Sequence, residues 1–233
     1  MIGTLRGLAA RFRRSRVGTR LALGQGMSAR EIFRKIYQDN YWGNTDSRSG
    51  AGSDLSQTAE VRRSLPELIE AHGIQTMLDI PCGDWHWMKE LSLNVDYVGA
   101  DIVPELIQRN QSLYGNDRRR FITLDLTADE LPRVDLVFSR DVLVHLSVED
   151  VFAALNNIRR SGSEYLLTTT FTDRSSNIDI PTGHWRPLNL QKPPFNFPAP
   201  IRIINERCTE GDGSWGDKSL GLWRVRDIPV SSA

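Results

Sequence analysis

Several features are scarce or missing in this chain of 233 residues, and each absence excludes a class of protein. Cys82 and Cys208 are the only cysteines, too few for a disulfide framework or a cysteine-ligated metal site, so a reducing, cytoplasmic location is expected. No apolar run approaches the roughly 20 residues of a membrane-spanning helix, and no secretory leader is recognisable. The 29 basic residues balance 29 acidic ones, so nucleic acid is not an expected partner.

The charge is nevertheless unevenly distributed along the chain. Residues 1–30 contain seven arginines and no acid. Such a segment is either a loosely held basic tail or an amphipathic helix that makes peripheral contact with an anionic membrane surface. We assign this segment to residues 1–27. One domain is predicted over 28–233, because Ser28 and Glu31 have the spacing of a capping box at the start of a helix.

Apolar, β-branched segments alternate with helical patterns through most of this domain. Helices are predicted over 56–72, 103–114 and 147–160. This alternation predicts an α/β fold with a doubly wound, mostly parallel sheet of the Rossmann-like type. Two late segments, 201–208 and 220–228, have no helix between them and predict an antiparallel C-terminal hairpin. The other strands are predicted at 76–80, 96–102, 120–126, 134–141 and 164–171.

Four aspartates, Asp79, Asp101, Asp125 and Asp141, stand at or near the ends of predicted strands. Ligands bind at the carboxyl ends of strands in such folds. Any one of these acids could simply cap a helix, but burying several carboxylates without a ligand is costly. The spacing from Asp79 to Asp101 suits a βαβ unit in which the second acid accepts hydrogen bonds from ribose hydroxyls.

The turn after the first strand, PCGD, contains a single glycine, Gly83. A dinucleotide fingerprint needs three glycines so that a pyrophosphate can approach the helix N-terminus. The turn therefore argues against a nicotinamide dehydrogenase and favours a nucleoside ligand without phosphate.

These segments resemble the motifs of class I S-adenosylmethionine-dependent methyltransferases. LDIPCGDW is similar to their first motif and YVGADIVPELI to their second, while LDLT and VDLVFSRDVLVHLS resemble the segments that face the adenine and the transferring methyl. Pro81 and Trp85 replace two glycines of the general pattern. Over roughly residues 30–228 the chain resembles more narrowly a bacterial subfamily with a PCGDWHWM first motif.

The resemblance implies S-adenosylmethionine as cofactor, with a role for each strand-end acid. Asp79 would orient the ammonium, Asp101 would bind the ribose and Asp125 would meet the adenine. Arg48 or Arg140 could bind the cofactor carboxylate. We interpret Cys82 as a packing residue rather than a nucleophile, and we expect one of Trp85 and Trp87 to belong to the core. The full set of predicted cofactor residues is Asp79, Cys82, Gly83, Trp85, Asp101, Ile102, Asp125, Leu126, Arg140, Arg48 and Trp42.

Candidate catalytic residues are few. His145 is either a general base or a structural residue, and Asp141 could accept or orient a proton. These two residues are four apart but lack a third ligand, so no metal site is predicted. The resemblance associates related proteins with polysaccharide biosynthesis. We therefore expect O-methylation of a small anionic or glycan-linked acceptor, held by His184, Arg186, Arg174 and Lys192, with the loop 183–200 as a wall.

Other functions remain open on the sequence alone. The missing glycines and the lack of a decisive base also fit a non-catalytic module that binds a nucleoside or S-adenosylmethionine. A methyltransferase acting on a nitrogen atom or on a nucleic acid is a further alternative.

Overall fold

The computed structural model describes residues 26–229, so residues 1–25 and 230–233 lie outside the described part of the chain. The prediction for the basic segment falls almost entirely on these undescribed residues. Residues 26–229 contain a seven-stranded sheet formed by β1 (Thr76–Asp79), β2 (Asp96–Asp101), β3 (Arg119–Thr123), β4 (Leu136–Ser139), β5 (Tyr165–Phe171), β6 (Arg202–Asn205) and β7 (Lys218–Arg224).

The strand order is β3-β2-β1-β4-β5-β7-β6. Strands β1 to β5 pair in parallel, whereas β7 is antiparallel to both β5 and β6. This arrangement confirms the predicted doubly wound, mostly parallel sheet with an antiparallel C-terminal hairpin. Within that hairpin β7 is inserted between β5 and β6, so the later strand lies nearer the centre of the sheet.

Four helices accompany the sheet in the described residues: α1 (Ala29–Gln38), α2 (Ala59–Ala71), α3 (Pro104–Tyr114) and α4 (Val148–Arg160). The predicted capping box starts α1, because Ser28 Oγ accepts from Glu31 N and the Glu31 carboxylate accepts from Ser28 N. Ser147 caps α4 by accepting from Asp150 N at 3.1 Å. Among these helices, none has the length and apolar character needed to cross a membrane.

Successive residues of the central strands enter separate apolar clusters. Leu78 and Val137 belong to one cluster, whereas Met77 and Leu136 belong to the other. The strands are therefore buried on both faces, as expected for a parallel sheet with helices on both faces. Polar side chains are consequently displaced to the strand ends.

From β1 the chain builds the sheet outward through β2 and β3 on one side and then continues with β4 on the other side. This reversal between β1 and β4 opens a crevice at the carboxyl ends of the two strands. Asp79 and Asp101 are the last residues of their strands, each one residue short of the predicted strand end. β3 ends earlier than predicted, at Thr123, because Asp125 Oδ1 accepts from Thr127 N at 2.8 Å and turns the chain. Asp141 lies two residues beyond the end of β4.

The segment that contains α1 and the loop after it folds back over this crevice. Arg30 Nη1 donates to the carbonyl of Ile102 at 3.1 Å. The Asp84 carboxylate accepts from Ser47 Oγ at 3.0 Å and from Arg48 N at 2.9 Å. These contacts hold the loop against the turn that follows β1.

Candidate active site

A cavity of about 480 Å³ runs along the carboxyl edge of the sheet. This volume is in the usual range for small-molecule sites. Because β2 and β7 lie on opposite sides of β1 in the sheet, the cavity has two distinguishable ends. The β2 end is lined by Asp79, Gly83, Asp101, Ile102, Asp125 and Leu126, and the β7 end by His145, Phe171, Trp185, Glu210, Trp215 and Lys218.

Asp101 is a buried acceptor at the β2 end. Its carboxylate accepts from Val103 N at 3.0 Å and from Gly83 N at 3.3 Å, which positions the turn after β1. Burial raises the pKa of Asp101 to about 6, against the effect of these hydrogen bonds. A buried carboxylate in this position fits the role of binding ribose hydroxyls.

Asp79 is more deeply buried and is held by an aromatic relay. Trp85 Nε1 donates to Tyr97 Oη at 2.8 Å, and Tyr97 Oη in turn donates to Asp79 Oδ2. Burial raises the pKa of Asp79 to about 8, although the Tyr97 hydrogen bond opposes the shift. A cation close to this carboxyl group would favour its charged form, so the site fits the ammonium of S-adenosylmethionine.

Trp85 stands where the general pattern has glycine, and it adopts a left-handed conformation with φ of 58°. That conformation is uncommon for a bulky residue, and here packing holds it. The indole borders the cavity, but its ring contacts Tyr97, Tyr114 and Phe121, so it belongs to the core. Burial raises the pKa of the Cys82 thiol well above its usual value, which fits a packing residue.

The two arginines predicted to bind the cofactor carboxylate are both engaged elsewhere. Arg48 borders the cavity, and its Nη1 donates to the carbonyl oxygens of Tyr37 and Gln38. Arg140 binds Glu206 through Nη2 at 2.7 Å and Nε at 3.3 Å. Arg140 also borders the cavity, but this buried carboxylate occupies the bidentate edge of its guanidinium, so binding of the cofactor carboxylate by Arg140 stays a prediction.

Four charged groups form a largely buried network at the β7 end, which we call the ion quartet: Arg140, Asp141, Glu206 and Lys218. Lys218 Nζ lies 2.6 Å from Asp141 Oδ2 and 3.4 Å from Glu206 Oε2. Burial opposes ionisation of Asp141, but Lys218 and Arg140 outweigh it and hold its pKa below the usual range. The lowered pKa favours the ionised form of Asp141, whose carboxylate pairs with Lys218 and Arg140. A role of Asp141 in accepting or orienting a proton stays a prediction.

His145 lines the same end of the cavity. Its Nδ1 lies 2.8 Å from the carbonyl oxygen of His184. A carbonyl oxygen only accepts hydrogen bonds, so Nδ1 carries the proton and Nε2 has a free lone pair in the neutral ring. Burial lowers the pKa of His145 to about 4, partly offset by the hydrogen bond to His184 and by Asp141. The Trp42 ring packs beside the imidazole, with the two ring centroids 5.3 Å apart.

None of the four predicted acceptor-binding side chains lines the cavity. Arg186 is 1% exposed and donates to the carbonyl oxygens of Ile178, Leu143 and Leu146, so its prediction is wrong. Two of these hydrogen bonds supply donors to the carbonyl oxygens of Leu143 and Leu146, at the short helical turn 143–145. The carbonyl oxygen of His184 accepts the hydrogen bond from His145 Nδ1.

Arg174 and Lys192 are also misassigned, and for different reasons. Arg174 pairs with Asp217 and donates to the carbonyl oxygen of Ser214 at 3.0 Å, so it fastens the loop that carries Trp215. Lys192 is exposed outside the cavity. Of the loop 183–200, Trp185 alone reaches the cavity wall, because four apolar side chains of the loop are drawn into the core: Leu188, Leu190, Phe195 and Phe197.

We expect Arg186→Met to lower the free energy of unfolding by about 2 kcal/mol, because three carbonyl oxygens lose a charged donor. Urea denaturation measures this effect. Arg202→Met, at a partly exposed ion pair with Glu67, serves as the control and should cost much less. A variant that kept wild-type stability and instead weakened the binding of an acceptor would restore the original interpretation of Arg186.

Lys218, Glu210 and Trp215 were not predicted as site residues, whereas Trp185 belongs to the loop 183–200 that was predicted as a wall. Strand β7 was predicted to begin at 220, whereas pairing with β5 places Lys218 opposite Phe171 at the carboxyl edge. That position follows from the insertion of β7 beside β5, for which the sequence has no local signal. Within residues 26–229, no group of three metal-ligating side chains comes together.

Comparison with known proteins agrees with this geometry. Residues 78–162 match the family model described as a methyltransferase domain. An uncharacterized methyltransferase of Mycobacterium tuberculosis is 34% identical over 89 residues, which are 37% of this chain and 44% of the relative. The equivalent protein of Mycobacterium bovis matches equally. The match thus spans less than half the length of these curated relatives.

Two solved structures share the fold over most of the chain. Human N-acetylserotonin methyltransferase in complex with S-adenosylmethionine has a TM-score of 0.58 at 16% identity, covering 93% of this chain and 68% of that one. Phosphoethanolamine N-methyltransferase 1 of Haemonchus contortus, in complex with phosphoethanolamine and S-adenosylhomocysteine, has a TM-score of 0.57 at 16% identity, covering 89% and 51%. The family match over residues 78–162 and the shared fold together support a class I S-adenosylmethionine-dependent methyltransferase domain.

The family match shows which part of this domain is shared with the methyltransferase family model. Residues 78–162 include the aspartates of the β2 end and His145. Trp185, Glu210, Trp215 and Lys218 lie outside the matched segment. The β7 end is therefore built by the part of the domain beyond the family match, whereas S-adenosylmethionine is the cofactor of the family. The narrower PCGDWHWM resemblance stays a prediction.

Proposed function

We propose that this chain transfers a methyl group from S-adenosylmethionine to a hydroxyl oxygen of a small or glycan-linked acceptor. The observation that carries the proposal is the hydrogen bond between His145 Nδ1 and the His184 carbonyl oxygen, which leaves Nε2 as a base at the cavity. The proposed acceptor has no anionic group, because the basic side chains predicted to bind one, Arg174, Arg186 and Lys192, lie outside the cavity.

In this proposal the β2 end of the cavity binds the cofactor, and the β7 end binds the acceptor. When bound, S-adenosylmethionine supplies a methyl group that its sulfonium activates for displacement. Asp79 and Asp101 would hold its ammonium and ribose. His145 Nε2 would take the proton of the acceptor hydroxyl, and its low pKa keeps it unprotonated at neutral pH.

Binding of the product S-adenosylhomocysteine tests the cofactor half of the proposal. We expect Asp101→Asn to weaken this binding by roughly 10- to 100-fold, because charged hydrogen bonds to the ribose are lost. Isothermal titration calorimetry measures the affinity. Asp96→Asn is the matched control, since it is the same change on the exposed start of β2 and should leave the affinity unchanged. Failure of the folded wild type to bind S-adenosylhomocysteine would contradict the proposal.

Turnover tests the catalytic half. A panel of hydroxylated, amino and carboxylated compounds is incubated with the protein and S-adenosylmethionine, and formation of S-adenosylhomocysteine is followed. We expect conversion with hydroxylated compounds. Cofactor binding without conversion of any compound would instead favour the non-catalytic module, and conversion of amines alone would favour N-methylation.

A further inference from the structure

Three polar atoms at the β7 end of the cavity face one small space beside Gly52. A β-carbon added to Gly52 would lie 3.4 Å from Asp141 Oδ2, 3.4 Å from Glu210 Oε2 and 3.6 Å from Lys218 Nζ. The backbone of Gly52 is not left-handed, so its conformation does not require glycine. The missing side chain leaves room for a ligand atom within reach of these polar groups.

Two of the three groups have hydrogen-bonding capacity to spare. The Lys218 ammonium has three donors, and its two described carboxylate partners are Asp141 and Glu206. Asp141 Oδ2 is already occupied by Lys218 and by Arg140 Nη1 at 3.3 Å. Within residues 26–229, the hydrogen bond found for Glu210 is the weak contact of Cys208 Sγ with Oε2 at 3.8 Å. One donor and one acceptor therefore remain side by side.

A group placed between them must accept from the ammonium and donate to the carboxylate, and a hydroxyl does both. An anionic group would face the carboxylates of Glu210 and Asp141, and an ammonium would face Lys218, so each would meet a like charge. We infer that Lys218 and Glu210 form a subsite for an uncharged hydroxyl group of the acceptor, at the space left open by Gly52. This inference rests on the proposed function, whose acceptor it describes.

The aromatic wall of the same end indicates the rest of the acceptor. Trp185 and Trp215 are half-buried, their ring centroids lie 4.7 Å apart, and the Phe171 ring packs against both. Such indoles offer apolar surface that a bound ring would cover. The subsite therefore suits an uncharged, hydroxylated ring compound.

Three matched probes test the inference: methyl α-glucopyranoside, its 2-amino-2-deoxy counterpart and its 6-carboxylate counterpart. Saturation-transfer NMR measures their binding to the full chain loaded with S-adenosylhomocysteine. We expect the neutral glucoside to bind, and each charged counterpart to bind at least roughly tenfold more weakly because it leaves a buried charge or polar group unmatched. Gly52→Ala fills the space and should abolish binding, and Glu210→Gln should weaken it.

Gly216→Ala is the control, because its added methyl would meet no atom closer than 3.5 Å and it should bind like the wild type. Absence of glucoside binding, preference for either charged probe, or unchanged binding by Gly52→Ala overturns the inference. Calorimetry with S-adenosylhomocysteine on the same samples keeps the proposals apart. If the protein does not bind S-adenosylhomocysteine, the proposed function is contradicted. If it binds S-adenosylhomocysteine but does not prefer the neutral glucoside over the charged probes, the hydroxyl subsite alone is contradicted.

Discussion

Replacing His145 with alanine is expected to lower the turnover number by about 10²- to 10⁴-fold, the usual contribution of a general base. The affinity for S-adenosylhomocysteine should change little, since His145 lies at the β7 end, whereas the aspartates predicted to bind the cofactor lie at the β2 end. Steady-state kinetics and calorimetry on the same variant separate these effects. His72→Ala is the matched control, because His72 ends α2 and packs against Tyr165 away from the cavity.

The pH profile provides a second test of the same residue. Neutral imidazole is the active form, and burial lowers the pKa of His145 to about 4. The acid limb of kcat/KM for the acceptor, at saturating S-adenosylmethionine, should therefore fall near pH 4 rather than near the pKa of about 6.5 of a free histidine. The shift also affects stability. Between pH 6.5 and 4 the unfolded chain binds a proton that the folded chain does not, so His145 makes stability fall with decreasing pH in this window.

Circular dichroism at each pH supplies the folded fraction by which the rates are corrected. Because kcat/KM reports the enzyme before the acceptor binds, a corrected acid limb near 6.5 would contradict the burial that lowers the pKa of His145. Full activity of His145→Ala would exclude it as the base, although the cofactor site would be unaffected.

The parts of this fold that were predicted correctly depend on local sequence. Alternation of apolar segments located all seven strands, and the capping pair at Ser28 and Glu31 located the start of α1. The position of Asp101 at the end of β2 followed from the same pattern, because the carboxyl ends of parallel strands meet at one edge. These features require only the order of residues along each element.

The errors concern side chains whose partners are distant in the chain. Arg186 looks like a loop arginine in the sequence, but the turn at 143–145, about 40 residues earlier, offers carbonyl oxygens that bury it. Lys218 looks like the end of a glycine-rich loop, but the insertion of β7 beside β5 places it in the cavity wall. Charge alone does not indicate whether an arginine will meet a ligand or a carbonyl, so the acceptor residues were misassigned.

Arg140→Met is expected to lower the free energy of unfolding by about 3–5 kcal/mol, because it leaves Glu206 buried with a weakened set of partners. Arg140 is the nearer of the two cations to Glu206, at 2.7 Å against 3.4 Å for Lys218. It also donates to the Gly52 carbonyl at 2.9 Å, and that bond would be lost. Urea denaturation measures the change without adding salt that would screen the charges.

The double variant Arg140→Met/Glu206→Met shows whether the cost comes from the unpaired charge or from the loss of the ion pair itself. It removes one charge of each sign and leaves Lys218 paired with Asp141 at 2.6 Å, so it should be more stable than either single variant. Lys35→Met, at the half-exposed pair with Asp39, is the control and should cost less than about 1 kcal/mol. Additive costs in the double variant would mean that Arg140 and Glu206 act independently of each other. A strongly non-additive cycle would establish the coupling between Arg140 and Glu206 within the ion quartet.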